Sequence, residues 1–294
     1  MIVRALPGTD GQLAVFAVTR LNAPPDALVA WTRAIAELKR SRFVLALGSF
    51  SDPPALSDVE DLMLDERDLE AIRRCAPGDC DVMLSAADIA SLRRVVGEGV
   101  EWREAVQREF RRLLVARVNL YRAGGLAALP QSAHRSTPVR PDETFAAIMA
   151  RSPYVTRLPA VAAWLRTYPH IDNPDVESFF YWSKESYGSG KPVISVTHVG
   201  IFRFEAGVSG PVVLVTGKQI FATHYMNGSL GLTMVLRDAE SGTQYFVYLN
   251  RSQIDLLKGF LGPLRRAVLE GRVTRDTPEV VRALRERLES GSPP

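Results

Sequence analysis

The spacing of hydrophobic positions changes character along this chain. Leu13 to Arg20 alternates as a strand does, and Asn22-Ala23-Pro24-Pro25-Asp26 breaks it before an apolar-periodic segment from Ala27 to Leu38 that predicts a helix. Arg42 to Phe50 predicts a second short strand, closed by Ser51-Asp52-Pro53-Pro54. Helical spacing returns between Asp65 and Arg74, Asp81 to Leu84 reads as a strand, and another helix is entered at Ser85. The longest predicted helix runs from about Val100 to Arg122, because Trp102, Val106, Phe110, Leu113, Leu114, Val118 and Tyr121 share one stripe; Gly124 and Gly125 end it. Its other face carries Arg103, Glu104, Arg108, Glu109, Arg111, Arg112 and Arg117, and the interleaved glutamates predict a solvated surface. Two short helices follow, Asp142 to Arg151 and Ala160 to Tyr168.

From Val176 the period shifts to two. Val176–Ser183, Val193–Phe204, Val212–Val215, Lys218–Met226, Leu230–Leu236 and Tyr245–Leu249 are rich in Val, Ile, Phe, Tyr and Thr and are separated by Gly, Ser, Asn and Asp. Consecutive strands with short connections predict an antiparallel meander. Helix then returns, with Ser252 as N-cap and Asp255 three residues on, a restart at Gly262-Pro263, and a last helix from Thr277-Pro278-Glu279 that buries Val280, Val281, Leu284 and Leu288. The expected architecture is α+β in one principal domain, residues 1–294. It comprises an N-terminal strand and helix, a large helical insertion over 65–168, and an antiparallel sheet curved around C-terminal helices over 176–290.

The two faces of the strands test what the sheet encloses. One face of the long strand has Val193, Ser195, Thr197, Val199, Ile201 and Arg203, and the other has Ile194, Val196, His198, Gly200, Phe202 and Phe204. The next strand sets Lys218, Ile220, Ala222, His224 and Met226 against Gln219, Phe221, Thr223, Tyr225 and Asn227. Neither face is polar enough for open solvent. Two accounts fit: a curved sheet holding an apolar pocket with a few polar groups, or a sheet packed on both sides by the C-terminal helices and the middle helical region.

Composition narrows the classes. The 294 residues are 46% hydrophobic and 23% charged, which allows a sizeable core, and 36 Lys+Arg against 33 Asp+Glu leave a net charge of +3, too weak to argue for nucleic acid. No apolar run approaches the roughly 18 residues that span a bilayer. Arg4, Pro7 and Asp10 come too early for a signal-peptide core, so the chain as it stands reads as soluble and cytoplasmic, or periplasmic or secreted where a leader has been removed. The cysteines stand in Cys75-Ala76-Pro77-Gly78-Asp79-Cys80, where Pro77 and Gly78 suit a type II turn that brings them to disulfide distance; two reduced thiols beside a tight turn is the alternative.

Catalytic and cofactor signatures fail on inspection. Gly188-Ser189-Gly190-Lys191 has Glu185 where a phosphate loop needs its first glycine, and Gly207-Val208-Ser209-Gly210-Pro211 lacks a spacer of a nucleophile elbow. His170, Asp172 and Asp175 have no second ligand cluster, so no metal and no cofactor is expected. His198 and His224 lie within predicted strands, where each either points into a cavity or is a hydrogen-bonded core residue. Lys218 either pairs with an anionic ligand group or, the preferred reading, is an exposed strand charge. Arg203 has the same ambiguity, Tyr225 follows His224 directly, and Trp182 belongs to the Phe179-Phe180-Tyr181-Trp182 cluster that can line an apolar site or simply pack.

Leu21-Asn22-Ala23-Pro24-Pro25-Asp26-Ala27-Leu28-Val29-Ala30-Trp31, the late antiparallel meander, and Gly262-Pro263-Leu264-Arg265-Arg266-Ala267-Val268-Leu269 together resemble the START-like, helix-grip lipid-binding superfamily. The resemblance implies a sheet wrapped around a long C-terminal helix, with an apolar cavity for lipids, sterols, polyketides or plant hormones. The leading expectation is binding or transfer of a hydrophobic, lipid-like small molecule, oriented by His224, Lys218 and Tyr225, with at most transient membrane contact. An enzyme using His224 as general acid or base in the same cavity, and an interaction module with a solid core, are the alternatives.

Overall fold

The structure, a computed structural model, describes residues 1–8, 11–97, 101–152, 155, 157–170, 175–186, 190–205, 210–257 and 262–293. Asp172, Gly188, Ser189, Gly207, Val208 and Ser209, which entered the motif readings above, lie outside the described residues.

The chain opens with strand β1 (Ile2–Leu6), β2 (Gln12–Leu21), helix α1 (Pro25–Arg33), α2 (Ile35–Lys39) and β3 (Val44–Ser49). A helical stretch follows: α3 (Glu66–Arg74), α4 (Ala86–Val96), α5 (Trp102–Gly124), α6 (Pro141–Ala150) and α7 (Pro159–Thr167). Then come β4 (Glu177–Glu185), β5 (Val193–Arg203), β6 (Gly210–Ala222), β7 (Met226–Arg237), β8 (Gln244–Ile254) and the long α8 (Gly262–Glu289). Among the described residues the strands form one antiparallel sheet in the order β1-β2-β8-β7-β6-β5-β4-β3. The meander from β3 to β8 therefore closes on β2, and the helical stretch lies between the meander's first two strands.

Several expected boundaries are corrected. Val212–Val215 and Lys218–Met226 are not two strands: β6 runs through Thr216-Gly217, which is paired with Gly231 across the sheet, so the glycine is strand interior and not a turn. Ser252 and Asp255 do not open a helix, because Ser252 is still paired with Leu13 and Ser229 in β8. Two C-terminal helices prove to be one, with Pro278 inside α8. Ala27–Leu38 is divided at Ala34, whose ψ of 51° leaves the helical range. Asp81–Leu84 is not a strand, and β1, which pairs with β2, has no counterpart in the sequence reading. The α5 stripe packs inward as expected, but its opposite face is not wholly solvated: Arg117 is buried and donates to Asp88 Oδ2 at 2.6 Å, and Glu109 is buried as well.

The helical layers cover both faces of the sheet. On one, Phe110, Leu114, Val118 and Tyr121 of α5 pack on Phe180, Trp182, Val196 and Phe221, while Phe145 and Ile148 of α6 and Trp164 and Leu165 of α7 pack on Phe202, Leu214, Leu232 and Leu249. On the other, α1 and α8 place Leu28, Val29, Trp31, Val281 and Leu288 over Ala17, Ile201, Val213, Val235 and Phe246. The cysteine turn is bonded as a disulfide, with Cα atoms 4.5 Å apart and Gly78 at φ 89°, the left-handed conformation that a type II turn requires at its third residue. Its amides hold the segment before α6: Gly78 N donates to Ala133 O at 2.7 Å and Cys80 N to His134 O at 3.1 Å.

The contact between α7 and the sheet depends on Gly200. A Cβ there would come within 2.6 Å of the Trp164 ring and 2.9 Å of Thr216 Oγ1. Gly200→Ala is expected to destabilise the protein by about 1–3 kcal/mol through overpacking, read as a lowered denaturation midpoint in urea with an unchanged slope.

Candidate functional site

The face beneath the helical stretch is buried, and it holds three of the residues singled out above. Trp182 is buried and donates its indole N–H to Asp58 O at 2.7 Å. His198 and Lys218 are cross-strand partners, and both are enclosed. His198 stacks on Phe180 with ring centroids 4.4 Å apart, and its Nδ1 lies 3.1 Å from the Tyr121 hydroxyl, while its Nε2 has no hydrogen-bond partner. Lys218 is not the exposed strand charge expected: it is 1% exposed and donates to Leu165 O at 2.7 Å, near the C-terminal end of α7. Its ammonium sits over the rings of Tyr121 and Phe145 at 5.2 and 4.9 Å. Burial pulls its pKa down to about 7, and burial with Lys218 nearby holds His198 well below the usual imidazole range. This is a packed polar island in an aromatic core.

His224 and Tyr225 are also engaged. His224 Nδ1 is 2.9 Å from Asp81 O and Nε2 is 2.9 Å from Asp68 Oδ1, with both partners of the ion pair buried. A carbonyl only accepts, so Nδ1 carries a hydrogen and the Nε2–carboxylate contact holds another proton; neither ring nitrogen is left for a substrate. Tyr225, at φ 63°, accepts a hydrogen bond on its hydroxyl from Lys191 N at 2.9 Å. Arg203 is exposed at the end of β5, 3.7 Å from Asp26. A second histidine staple escaped sequence reasoning: His134 Nε2 is 2.9 Å from Asp255 Oδ2 and Nδ1 is 2.8 Å from Ser132 Oγ, while Asn227 donates to Asp255 Oδ1 at 2.6 Å. Both staples tie the helical stretch to the β6–β7 turn and the end of β8.

The other face is different near its centre. Reading across the register, β5, β6, β7 and β8 place Val199, Gly217, Gly231 and Asn250 side by side. A Cβ built on Gly217 would meet only Thr197 Cγ2, at 3.5 Å, and one on Gly231 only Asn250 Nδ2 and Gly217 O, at 3.6 and 3.8 Å. No described atom of α1, α2 or α8 lies within 4 Å of either position. Burial along β7 alternates accordingly: Leu230, Leu232 and Met234 are buried against the helical stretch, whereas Ser229, Gly231 and Thr233 are half-buried on the α8 side.

Polar side chains border this gap. Lys39, the last residue of α2, donates to Glu185 Oε1 at 2.6 Å and to the Tyr181 hydroxyl at 3.2 Å. Ser183 donates to the same Glu185 oxygen at 2.8 Å. On the far side Ser229, Asn250 and Ser252 bond one another, Ser252 Oγ reaching Asn250 Oδ1 at 2.9 Å. Between the two groups stands Gln219, paired in register with Thr197 and 9% exposed, whose Nε2 and Oε1 both lack a partner. Burial holds the Tyr248 phenol up at about 12; Lys39 pulls it down while Glu185 and Tyr181 raise it, so these four groups share one electrostatic environment. At the opposite end of β8 a separate groove of about 670 Å³ is lined by Arg20, Asn22, Gln244, Arg285 and Glu289 among others.

The class defined so far is an α+β protein whose antiparallel sheet is covered on both faces, with a long C-terminal helix on one of them. No family model matches the chain, and no curated protein matches it. Solved structures similar to it include the crystal structure of TTHA0849 from Thermus thermophilus, at 9% identity over 52% of this chain and 92% of that one, with a TM-score of 0.28. No helix among the described residues is long and apolar enough to cross a membrane.

Two outcomes follow from the buried titratable groups. An unfolded chain keeps the Lys218 proton up to about pH 10.5, whereas the folded one sheds it near 7, so stability rises with pH between these values and the full burial cost is present below pH 7. Lys218→Met is therefore expected to be more stable than the wild type at pH 6, by about 5 kcal/mol at most less about 1 for the lost hydrogen bond, with the difference shrinking toward pH 10 in urea titrations. His224→Ala leaves the Asp68 carboxylate buried and unpaired, and is expected to cost about 3–5 kcal/mol in the same assay.

Proposed function

We propose that the protein binds an amphipathic small molecule in the gap between the sheet and α8, and that this binding is its function. The observation that carries the reading is the bare Gly217–Gly231 pair. Protein interiors fill at close to crystal density, and a layer that exists only to pack would put side chains over two adjacent glycines. Val199, Ile201 and Val215 supply an apolar wall on the same face, and Gln219, Tyr181, Tyr248 and Asn250 supply polar groups along it. A few converging polar groups on an apolar wall is the usual make-up of a ligand site. The START-like resemblance points the same way, since a C-terminal helix laid on an antiparallel sheet with a ligand between them is what it implies. The lining is more polar than a simple lipid chain requires, so the ligand is lipid-like in part only.

Catalysis by His224 has no comparable support, because both its ring nitrogens are committed on the edge of the helical stretch.

Gly231→Val tests the reading. A Cβ at this position meets only ordinary contacts on the protein's side and a β-branched residue suits a strand, so the melting temperature is expected to stay within a few degrees of the wild type. Native mass spectrometry of freshly purified protein, with solvent extraction of what accompanies it, is expected to show a stoichiometric small-molecule adduct on the wild type and none on Gly231→Val. A wild type that stays bare after exposure to a mixed lipid extract, or a Gly231→Val variant that unfolds, counts against the gap.

A further inference from the structure

The polar groups of the gap differ in how far their hydrogen bonds are already used. Glu185 takes Lys39 and Ser183, Tyr181 takes Lys39, and Ser229, Asn250 and Ser252 satisfy one another. Gln219 is the exception: it is nine-tenths buried, and both its amide nitrogen and its amide oxygen are orphaned. A buried carboxamide without partners costs free energy that an apolar residue of the same size would not. A leucine or methionine at this position, opposite Thr197 in the register, would carry no such cost.

Charge narrows what can satisfy it. Lys39 is bonded to Glu185, so the two charges offset each other. An anionic headgroup brought beside Gln219 would meet the Glu185 carboxylate with the ammonium already engaged, and a cationic one would have to displace Lys39. Either would be desolvated in a half-buried space. A neutral group with one donor and one acceptor side by side meets neither penalty, and it completes both ends of the Gln219 carboxamide at once.

Resting on the gap as the binding site, we propose that its ligand is an uncharged amphipathic molecule headed by a carboxamide or lactam, which Gln219 reads through a pair of hydrogen bonds, Nε2–H donating to the ligand carbonyl and Oε1 accepting from the ligand N–H. Gln219 is then the residue that sets specificity, and the apolar body lies over Gly217 and Gly231 toward Val215 and Ile201.

The test compares decanamide, decanol and decanoate, which share a chain and differ in the head, by isothermal titration and native mass spectrometry at pH 7.5. Decanamide is expected to bind the wild type at least tenfold more tightly than decanoate, with decanol between them. Gln219→Met is expected to lose at least tenfold in decanamide affinity and to leave decanol within threefold. The same substitution is expected to raise the melting temperature of the ligand-free protein, because it removes an unsatisfied buried amide; a purely structural glutamine would lower it. Glu185→Gln, which removes the carboxylate charge bonded to Lys39, is expected to tighten decanoate selectively. Decanoate binding as well as decanamide, or an unchanged decanamide affinity in Gln219→Met, overturns the headgroup assignment while leaving the gap in place. Binding of none of the three probes, or equal binding to Gly231→Val and wild type, overturns the gap reading itself.

Discussion

The period of two in β5 and β6 is the constraint on which the rest of this molecule depends. It sends His198, Gly200, Thr216 and Lys218 toward the helical stretch, and Thr197, Val199, Gly217 and Gln219 toward α8. The first set is sealed: Gly200 admits the Trp164 ring, the rings of Tyr121, Phe180 and Trp164 enclose His198, and Lys218 reaches the last turn of α7. The second set is left uncovered at its centre. A slip of one residue would exchange the two, putting a lysine and a histidine in the gap and glycines under the core helices. The sealed face thus fixes the register that the open face relies on.

Holding the helical stretch against the sheet takes more than apolar burial at its margin. His224 with Asp68 and His134 with Asp255 join it to the turn end of β6, β7 and β8. The disulfide turn, through its amides to Ala133 and His134, sets the strand-like segment that carries the second staple. Each link is individually modest or costly in a buried setting, but each is directional where packing is not. The polar island around Lys218 works similarly, tying α7 to β6 at an electrostatic cost that grows as pH falls.

Legibility in the sequence follows the strength of local periodicity. The α5 stripe, the short helices and the meander are readable because their apolar positions repeat at 3.6 or at two. Gly217 misleads as a break in β6 because a glycine flanked by Val215-Thr216 and Lys218 has the local chemistry of a turn; only its cross-strand partner, Gly231, shows it to be strand interior. Strand parity correctly separates Lys218 from Gln219, yet parity alone does not say which side is sealed, and the histidine and lysine draw the eye because those residues carry chemistry. The side that is open is marked by small and amide side chains, Gly217, Gly231, Gln219 and Asn250, which advertise nothing in one dimension. His134 escapes for a comparable reason: its partner Asp255 is 121 residues away, and no local signal links them.

The contrast between the two buried polar sites separates structure from function. Lys218 and His224 are satisfied by protein atoms, carbonyl and carboxylate, so their presence is explained by the fold that they fasten. Gln219 finds no hydrogen-bond partner among the described residues, and it is two residues from Gly217 on the same face of β6, where no described residue of the facing helices comes within 4 Å of the Gly217 or Gly231 Cβ position. On the proposed reading its partner comes from outside the protein. The polar row on the α8 side fits the proposed site. Lys39, Glu185, Ser183 and Tyr181 bond one another, and among the described side chains of this row Gln219 is the amide with neither end bonded.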